Sequence, residues 1–176
     1  MTLDPPRDGA QGLRGGEKWS KVGTRGRETP LEPMFYGEYE HSVDDKKRLT
    51  LPARFRDDLA GGVVLARGIE KNIDVYPRES WDANVTRIAD LDSLTREARE
   101  MKRFVFAGAT VTELDKQGRV LVPPHLASHA GLAKDVVLAG VHDHIEIWGR
   151  SEWTTHLSAI EGSAGDVAER LADKRG

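Results

Sequence analysis

Two ten-residue segments of this chain follow one pattern, so its fold has to accommodate a duplication. The first segment occupies residues 44–53 (DDKKRLTLPA) and the second occupies residues 115–124 (DKQGRVLVPP). In both, an Asp stands four residues before an Arg, three strand-forming residues follow, and a Pro stops the strand where a short helix can begin. The pattern predicts two versions of a single structural unit.

The duplication extends on both sides of these segments. Gly37 corresponds to Gly108, and Trp81 corresponds to Trp153. The repeat therefore predicts a disordered N-terminal extension, a first repeat, a helical connector, a second repeat, and a C-terminal helix with a tail. In that order they occupy residues 1–33, 34–81, 82–107, 108–153 and 154–176.

Apolar periodicity predicts four short strands and one short helix in each repeat. The predicted strands cover residues 35–43, 48–51, 63–66 and 73–76 in the first repeat and residues 109–114, 119–122, 136–139 and 145–148 in the second. Because four short strands cannot bury both of their faces, the two repeats are predicted to intertwine into one barrel about a pseudo-two-fold axis. The predicted fold class is mixed α+β with a mainly β core.

Helices are predicted from Pro52 and from Pro123, where each repeat leaves its second strand. Spacing of three and four residues between apolar side chains predicts two connector helices, over residues 77–91 and 94–105. Ser151 is predicted to cap the C-terminal helix, and the Gly-containing residues 162–165 are predicted to interrupt it.

Composition excludes several classes of protein. The 176 residues are 38% hydrophobic and 31% charged and contain no Cys, which rules out disulfides, a Cys-ligated zinc ion and a thiol nucleophile. No apolar run approaches the ~20 residues needed to span a bilayer, and the N-terminus lacks the order of a secretory signal, so a cytoplasmic location is predicted. The formal net charge of -3 means that binding to a polyanion would depend on local clusters of Lys and Arg.

Such clusters surround the two repeated Asp residues. Asp44 and Asp115 are predicted to shape turns by accepting backbone N–H groups and by pairing with the Arg four residues later. The cations of these turns are predicted to contact DNA phosphates and guanine edges, in preference to serving only as solvated turn charges. They are Lys46, Lys47, Arg48, Lys116 and Arg119, with Arg54 and Arg56 of the adjoining helix in second rank.

An enzyme is the less favoured alternative. Two equivalent Asp residues could share a proton, but Asp115 is followed by Lys, Asp44 is followed by Asp and Lys, and each faces an Arg, which would keep both ionised. No Gly-rich phosphate loop and no Ser-centred elbow occurs. His142 and His144 lie next but one to each other, a spacing that predicts exposure to solvent, and no third ligand is evident. No catalytic residue, metal, cofactor or small-molecule substrate is predicted.

From Met34 to about Leu171 the chain resembles the MraZ family of bacterial regulators of the division and cell-wall gene cluster. The resemblance is carried by residues 34–41 (MFYGEYEH), residues 49–56 (LTLPARFR), residues 114–124 (LDKQGRVLVPP) and the paired Asp-x-x-x-Arg elements. Two departures are Lys47, where family members typically have Gly, and Ala127, near which an Arg is common.

The resemblance implies AbrB-like, swapped-hairpin (double-psi-type) units, a ring-shaped homo-oligomer and a location at the nucleoid. It also implies binding to direct repeats of double-stranded promoter DNA and repression of the cluster that contains the protein's own gene. The remaining alternative is an oligomeric scaffold or antitoxin-like module in which DNA binding is secondary.

Overall fold

The computed structural model describes residues 34–174, and the predicted N-terminal extension lies outside these residues. The first repeat contributes β1 (Phe35–Ser42), β2 (Arg48–Thr50), a 3-10 turn (Ala53–Phe55), β3 (Val63–Arg67) and β4 (Asn72–Pro77). The connector contains α1 (Trp81–Ala89) and α2 (Arg96–Phe106). The second repeat contributes β5 (Thr110–Thr112), β6 (Arg119–Leu121), α3 (Pro124–His129), β7 (Asp135–His142) and β8 (Ile145–Gly149), and α4 (Arg150–Asp173) follows.

The strands of the two repeats pair with one another, as the duplication predicted. Six strands form one antiparallel sheet in the order β1-β7-β8-β4-β3-β5, and β2 pairs with β6 in a separate two-stranded ribbon. Exchanging each strand for its counterpart in the other repeat reverses this order, so the sheet has the predicted pseudo-two-fold symmetry. The predicted closed barrel is not confirmed, because among residues 34–174 the sheet ends at β1 and β5.

One hydrophobic core joins the sheet to the ribbon. Alternate residues of the sheet, such as Leu65 and Leu138, are fully buried together with Leu49 and Val120 of the ribbon. Each buried Leu or Val side chain contributes roughly 1.5–3 kcal/mol relative to exposure. Since Leu49 and Val120 of the ribbon lie in this core, the ribbon residues that alternate with them point away from it.

The ends of the core are closed by the short helices that follow the two Pro residues. Phe55 of the 3-10 turn packs edge-on against Phe35, with ring centroids 5.2 Å apart, and Leu126 of α3 is fully buried. The Pro at the end of each ribbon strand therefore directs an apolar side chain inward within one helical turn.

The connector helix predicted over residues 77–91 begins later than expected. Pro77 still belongs to β4, opposite Val63, and α1 starts only at Trp81. Pro can end a strand without donating a hydrogen bond, so its presence did not mark the first turn of the helix. Thr95 caps α2 through a hydrogen bond from the Ala98 backbone N–H to its side chain (3.3 Å).

Two expectations for the C-terminal helix are wrong. Its N-cap is Gly149, and Ser151 lies within the first turn. Gly162 and Gly165 do not interrupt it, because α4 is continuous from Arg150 to Asp173. Each glycine costs roughly 1 kcal/mol of helix propensity relative to Ala but keeps its backbone N–H, so the hydrogen-bond ladder continues. No helix within residues 34–174 is long and apolar enough to cross a membrane.

β1 and β7 approach each other closely at a pair of glycines. Gly37 and Gly140 are opposite one another in the antiparallel register. A Cβ atom at Gly140 would lie 2.5 Å from the Tyr36 backbone nitrogen and 2.6 Å from the Phe35 carbonyl carbon. Because these are backbone atoms, they cannot move aside as a side chain would, so this crossing of the two repeats requires glycine.

Candidate nucleic-acid interface

The two repeated segments form turns with the same backbone hydrogen bonds. In the first, the Lys47 N–H donates to Asp44 O, and in the second, the Gly118 N–H donates to Asp115 O (2.9 and 2.8 Å). The N–H of each Asp also donates to the carbonyl of the Arg four residues later (2.9 Å in both). Each turn is therefore closed by the strand that it introduces.

Each Asp side chain holds its turn and its Arg at once. Oδ1 of Asp44 accepts from the backbone N–H of Lys46 and Arg48 (2.9 Å each), while Oδ2 accepts from Arg48 Nε and Nη2 (2.8 and 2.6 Å). Asp115 repeats this geometry with Arg119, at 2.7 Å to Nε and 2.6 Å to Nη2. Each Asp therefore accepts backbone hydrogen bonds within its turn and also pairs with the Arg four residues later.

These contacts keep both carboxylates ionised. The hydrogen bond from the Arg48 side chain is the main cause of the lowered pKa of Asp44, and that from Arg119 lowers the pKa of Asp115 to about 2. A pair of Asp residues that shares a proton would instead have one raised pKa. The two Asp residues also belong to separate turns, each with its own Arg, so the geometry does not favour the acid–base alternative.

The lowered pKa of Asp115 leads to a pH-dependent contribution to stability. Because the pKa in the folded chain is about 2 and the ordinary value is 3.8, the contribution is present above pH 3.8 and is lost as the pH falls toward about 2. Asp115→Asn should therefore be less stable than wild type at pH 7, and the deficit should shrink between about pH 4 and pH 2. Urea unfolding of both proteins at several pH values measures the difference between their free energies of unfolding. A difference that stays constant down to pH 2 would contradict the assigned role of Asp115.

The residue three positions after the Asp has a left-handed backbone conformation in both turns. Lys47 has φ +61° and Gly118 has φ +72°. Glycine adopts this conformation without strain, whereas Lys does so at a cost of roughly 1 kcal/mol. Lys47 thus retains the turn geometry and adds a cation at the tip of the turn.

The ribbon places the two turns at its opposite ends. Arg48 is opposite Leu121, and Arg119 is opposite Thr50. The Val122 N–H donates to Lys47 O, and the Leu51 N–H donates to Gly118 O (2.8 and 2.9 Å). At ~3.3 Å per residue, the four steps from Lys47 to Leu51 separate the turns by roughly 13 Å.

The outward face of the ribbon carries both arginines. Leu49 and Val120 point into the core, so Arg48 and Arg119 point away from it, with side chains 31% and 24% exposed. Thr50 and Leu121 lie on the same face, and Leu121 is 55% exposed. Neither was predicted to be functional, although the two-residue alternation of the strands would have placed both beside the arginines.

The lysines of the turns are exposed. Lys46 and Lys47 lie in the first turn, Lys116 lies in the second, and none of them takes part in an ion pair within residues 34–174. Their charges are available to an external anion. We call the outward face of the ribbon, with the turns at its ends, the ribbon surface; its cations are Lys46, Lys47, Arg48, Lys116 and Arg119.

The two second-rank arginines occupy different environments. Arg54 is exposed and donates from Nη1 to the Tyr39 hydroxyl oxygen (2.8 Å). Arg56 donates from Nε to Leu51 O (3.0 Å) and covers Gly118, where a Cβ atom would lie 2.3 Å from that nitrogen. Arg56 therefore supports the junction of the two repeats, and of the two only Arg54 is exposed to solvent.

The histidines of the β7–β8 turn also differ from each other. His142 is exposed, as predicted, but the expectation of exposure is wrong for His144, which is half-buried and stacks on Tyr76 with ring centroids 4.7 Å apart. His144 lies beside Asp74 and Glu146, and these three form a group within residues 34–174 that could hold a metal ion. Burial raises the pKa of Asp74 to about 6.

Fold and surface together define a tandem-repeat β protein in which a two-stranded ribbon presents paired Asp–Arg turns. The family pattern described as "MraZ protein, putative antitoxin-like" matches residues 34–104 and again residues 105–175. The chain therefore belongs to the MraZ family.

Curated relatives carry the name "Transcriptional regulator MraZ". The protein of Thermomicrobium roseum is 41% identical over 139 residues, which cover 79% of this chain and 98% of the relative. That of Roseiflexus sp. (strain RS-1) is 42% identical over 142 residues, 81% and 99% of the two chains. That of Heliobacterium modesticaldum is 43% identical over 140 residues, 80% and 98%. The chain is accordingly a member of a family of transcriptional regulators, which is not an enzyme class.

Proposed function

We propose that this chain is a sequence-specific DNA-binding regulator that represses its own division and cell-wall gene cluster through direct repeats in the promoter. The observation that carries the proposal is the ribbon surface, in which Arg48 and Arg119 are held by Asp44 and Asp115 at opposite ends of one two-stranded ribbon. The names of the relatives support regulation of transcription. A cytoplasmic, nucleoid-associated location and an AbrB-like relationship of the two repeats belong to the same proposal.

The dimensions of the ribbon suit the major groove of DNA. That groove is about 12 Å wide and admits a two-stranded β-ribbon. With the turns roughly 13 Å apart, each end of the ribbon can reach a different phosphate strand while Arg48 and Arg119 face base edges. An Arg can donate two parallel hydrogen bonds to guanine, and the exposed Leu121 offers an apolar contact for a thymine methyl group.

Orientation of the two arginines by Asp favours specific binding over loose charge attraction. Each guanidinium group uses Nε and Nη2 on its Asp, so its position is fixed before DNA arrives and its remaining N–H groups stay available. A pre-positioned side chain loses less conformational entropy on binding. The exposed lysines of the turns contribute attraction that does not depend on sequence.

Self-association would compensate for the negative net charge of the chain. α4 has no buried residue, and its Leu157, Ile160, Ala164, Val167 and Leu171 recur at alternating steps of three and four residues. That spacing is typical of helices that pack against other helices. Exposure of the last four of these residues supports a homo-oligomer, which we propose is a ring that presents several ribbon surfaces to successive DNA repeats. Several weak contacts at matched spacing then act together.

Phosphate contacts predict a strong dependence of DNA binding on salt. If the turn lysines and their counterparts in a second subunit neutralise roughly four phosphates, affinity should fall about 100-fold between 50 and 200 mM salt. Lys116→Ala should reduce the slope of log affinity against log salt by about 1 for each subunit engaged. Lys102→Ala is the matched control, because that side chain lies on α2 and donates to Ser93 Oγ (2.8 Å). Fluorescence anisotropy with a promoter duplex measures both quantities; an affinity that does not change with salt would exclude phosphate-led binding.

The second candidate function is an oligomeric scaffold or antitoxin-like module. The exposed apolar row of α4 favours it, because such a row could bind a different protein. A gel shift with Arg119→Ala separates the two functions. Loss of the shift with the oligomer intact supports the regulator, whereas a wild-type chain that shifts no promoter DNA supports the scaffold.

A further inference from the structure

A second cluster of polar side chains lies on the face of the sheet opposite the core. Asp74 of β4 and Glu146 of β8 are opposite each other in the antiparallel register, where the first repeat meets the second. His144 precedes β8 and reaches the same place. The cluster is therefore assembled from both repeats and lies on a different face from the ribbon surface.

The side chains of this cluster converge on one point. His144 Nε2 is 3.9 Å from Asp74 Oδ1 and 3.9 Å from Glu146 Oε1. One ligand atom from each of the three residues can be chosen so that all lie within 4.8 Å of one another. Ligand atoms at ~2.0–2.2 Å from a tetrahedral metal ion are roughly 3.3 Å apart, so small side-chain rotations would bring the three atoms to that spacing.

Two of the three groups are oriented by a hydrogen-bonding neighbour. His144 Nδ1 is 2.8 Å from Asp143 Oδ1, so when Nδ1 carries the proton Nε2 is free to bind a metal ion. Trp148 Nε1 donates to Glu146 Oε2 (2.8 Å) and so leaves Oε1 toward His144. A carboxylate on the far nitrogen of a ligating His is the usual arrangement around protein-bound zinc.

The buried Asn72 is an independent indication that the protein holds these side chains in position. Its side chain is 1% exposed and donates from Nδ2 to Asp74 Oδ1 (2.6 Å), while its own Oδ1 has no hydrogen-bond partner within the described residues. Leaving a buried acceptor without a partner costs roughly 1–3 kcal/mol. The buried amide is therefore directed at Asp74 at the expense of its own hydrogen bonding.

The charges in the cluster also favour a cation. Two half-buried carboxylates face one imidazole, and no Lys or Arg forms an ion pair with Asp74 or Glu146 among residues 34–174. Partly buried carboxylates are normally paired with a cation or coordinate a metal. A divalent ion would supply positive charge to both carboxylates at once.

We propose that Asp74, His144 and Glu146 bind one divalent transition-metal ion, for which Zn²⁺ is the best match. One nitrogen and two oxygen ligands suit Zn²⁺ better than Mg²⁺ or Ca²⁺, which favour oxygen alone. The ion links β4 of the first repeat to the β7–β8 hairpin of the second. It therefore stabilises the association of the two repeats.

The test is titration of the full chain, without a histidine tag, with Zn²⁺ alone. Calorimetry should show one high-affinity ion per chain, and a 100-fold excess over the dissociation constant should raise Tm by about 5–10 °C. His144→Gln and Asp74→Asn should each weaken Zn²⁺ binding by at least about 10-fold. His142→Asn is the control, since this exposed His lies two residues away, and Asn tolerates its φ of +79°.

Circular dichroism without metal shows which variants fold. The two ligand variants change different elements, β4 and the β7–β8 turn, so a folded protein from either one suffices for the test. Zn²⁺ binding that is lost in a folded His144→Gln or Asp74→Asn protein and retained in His142→Asn supports the site. Failure of wild type to bind Zn²⁺ below 100 µM overturns it. Equal losses in His142→Asn, or unchanged binding in both ligand variants, also overturn it, because the ion would then bind to surface histidines.

Discussion

Arg48→Ala is expected to weaken promoter DNA binding by about 30-fold or more while the chain stays folded and associated. Arg48 lies on the outward face of the ribbon, so its loss removes no side chain from the core. One bidentate Arg–guanine contact is worth ~1–3 kcal/mol, and an oligomer loses that contact in every engaged subunit. Anisotropy with a labelled promoter duplex measures the affinity, and light scattering measures the oligomer.

Two further substitutions show whether DNA affinity depends on the location and geometry of the Arg48 side chain or only on positive charge. Arg48→Lys should recover only part of the affinity, because a Lys keeps the charge but cannot reproduce the planar two-point contact with Asp44 and DNA. Arg96→Ala is the matched control, since Arg96 lies on α2 and pairs with Glu100 (2.7 Å). Full affinity in a folded Arg48→Ala protein, or an equal loss in Arg96→Ala, would show that DNA binds elsewhere.

Gly140→Ala is expected to destabilise the fold by about 3 kcal/mol or more, a large part of the 5–15 kcal/mol that typically separates folded from unfolded chains. The added Cβ would lie 2.5 Å from the Tyr36 backbone nitrogen, and relief requires β1 to move away from β7. Because β1 belongs to the first repeat and β7 to the second, the substitution weakens the joint between them. Urea unfolding measures the loss.

Gly162→Ala is the matched control for that substitution. Nothing lies within 4 Å of a Cβ at Gly162, which is in the exposed α4, so the change should stabilise the chain by roughly 0.5–1 kcal/mol through helix propensity. If Gly140→Ala lowers the free energy of unfolding by less than about 0.5 kcal/mol, β1 and β7 separate readily. That result would contradict the close packing of these two strands.

Local sequence was sufficient for the turns of the ribbon surface. Asp44 and Arg48 are four residues apart, and so are Asp115 and Arg119, so their pairing depends on contacts that a short peptide pattern specifies. The duplication likewise predicted that the repeats intertwine. It could not predict that the sheet ends at β1 and β5, because that depends on which distant strands pair.

Where sequence reasoning failed, a long-range contact or a small propensity was decisive. Asp74 was not recognised beside His144 because sheet pairing, rather than proximity in the chain, brings them together. The sequence also did not indicate that Arg56, a second-rank candidate for DNA contact, donates to Leu51 O and covers Gly118 at the joint between the repeats. Gly162 and Gly165 were treated as a break, although their combined propensity cost does not end a helix of 24 residues.

Competition binding tests most directly whether the ribbon surface recognises DNA by sequence. The wild-type chain is mixed at physiological salt with a labelled duplex from upstream of its own gene, and an unlabelled duplex of the same composition in shuffled order is added. We expect the complex to survive about a 1,000-fold excess of the shuffled duplex and to dissociate with the unlabelled promoter. Equal competition by both duplexes, or no complex at all, would contradict sequence-specific regulation by this protein.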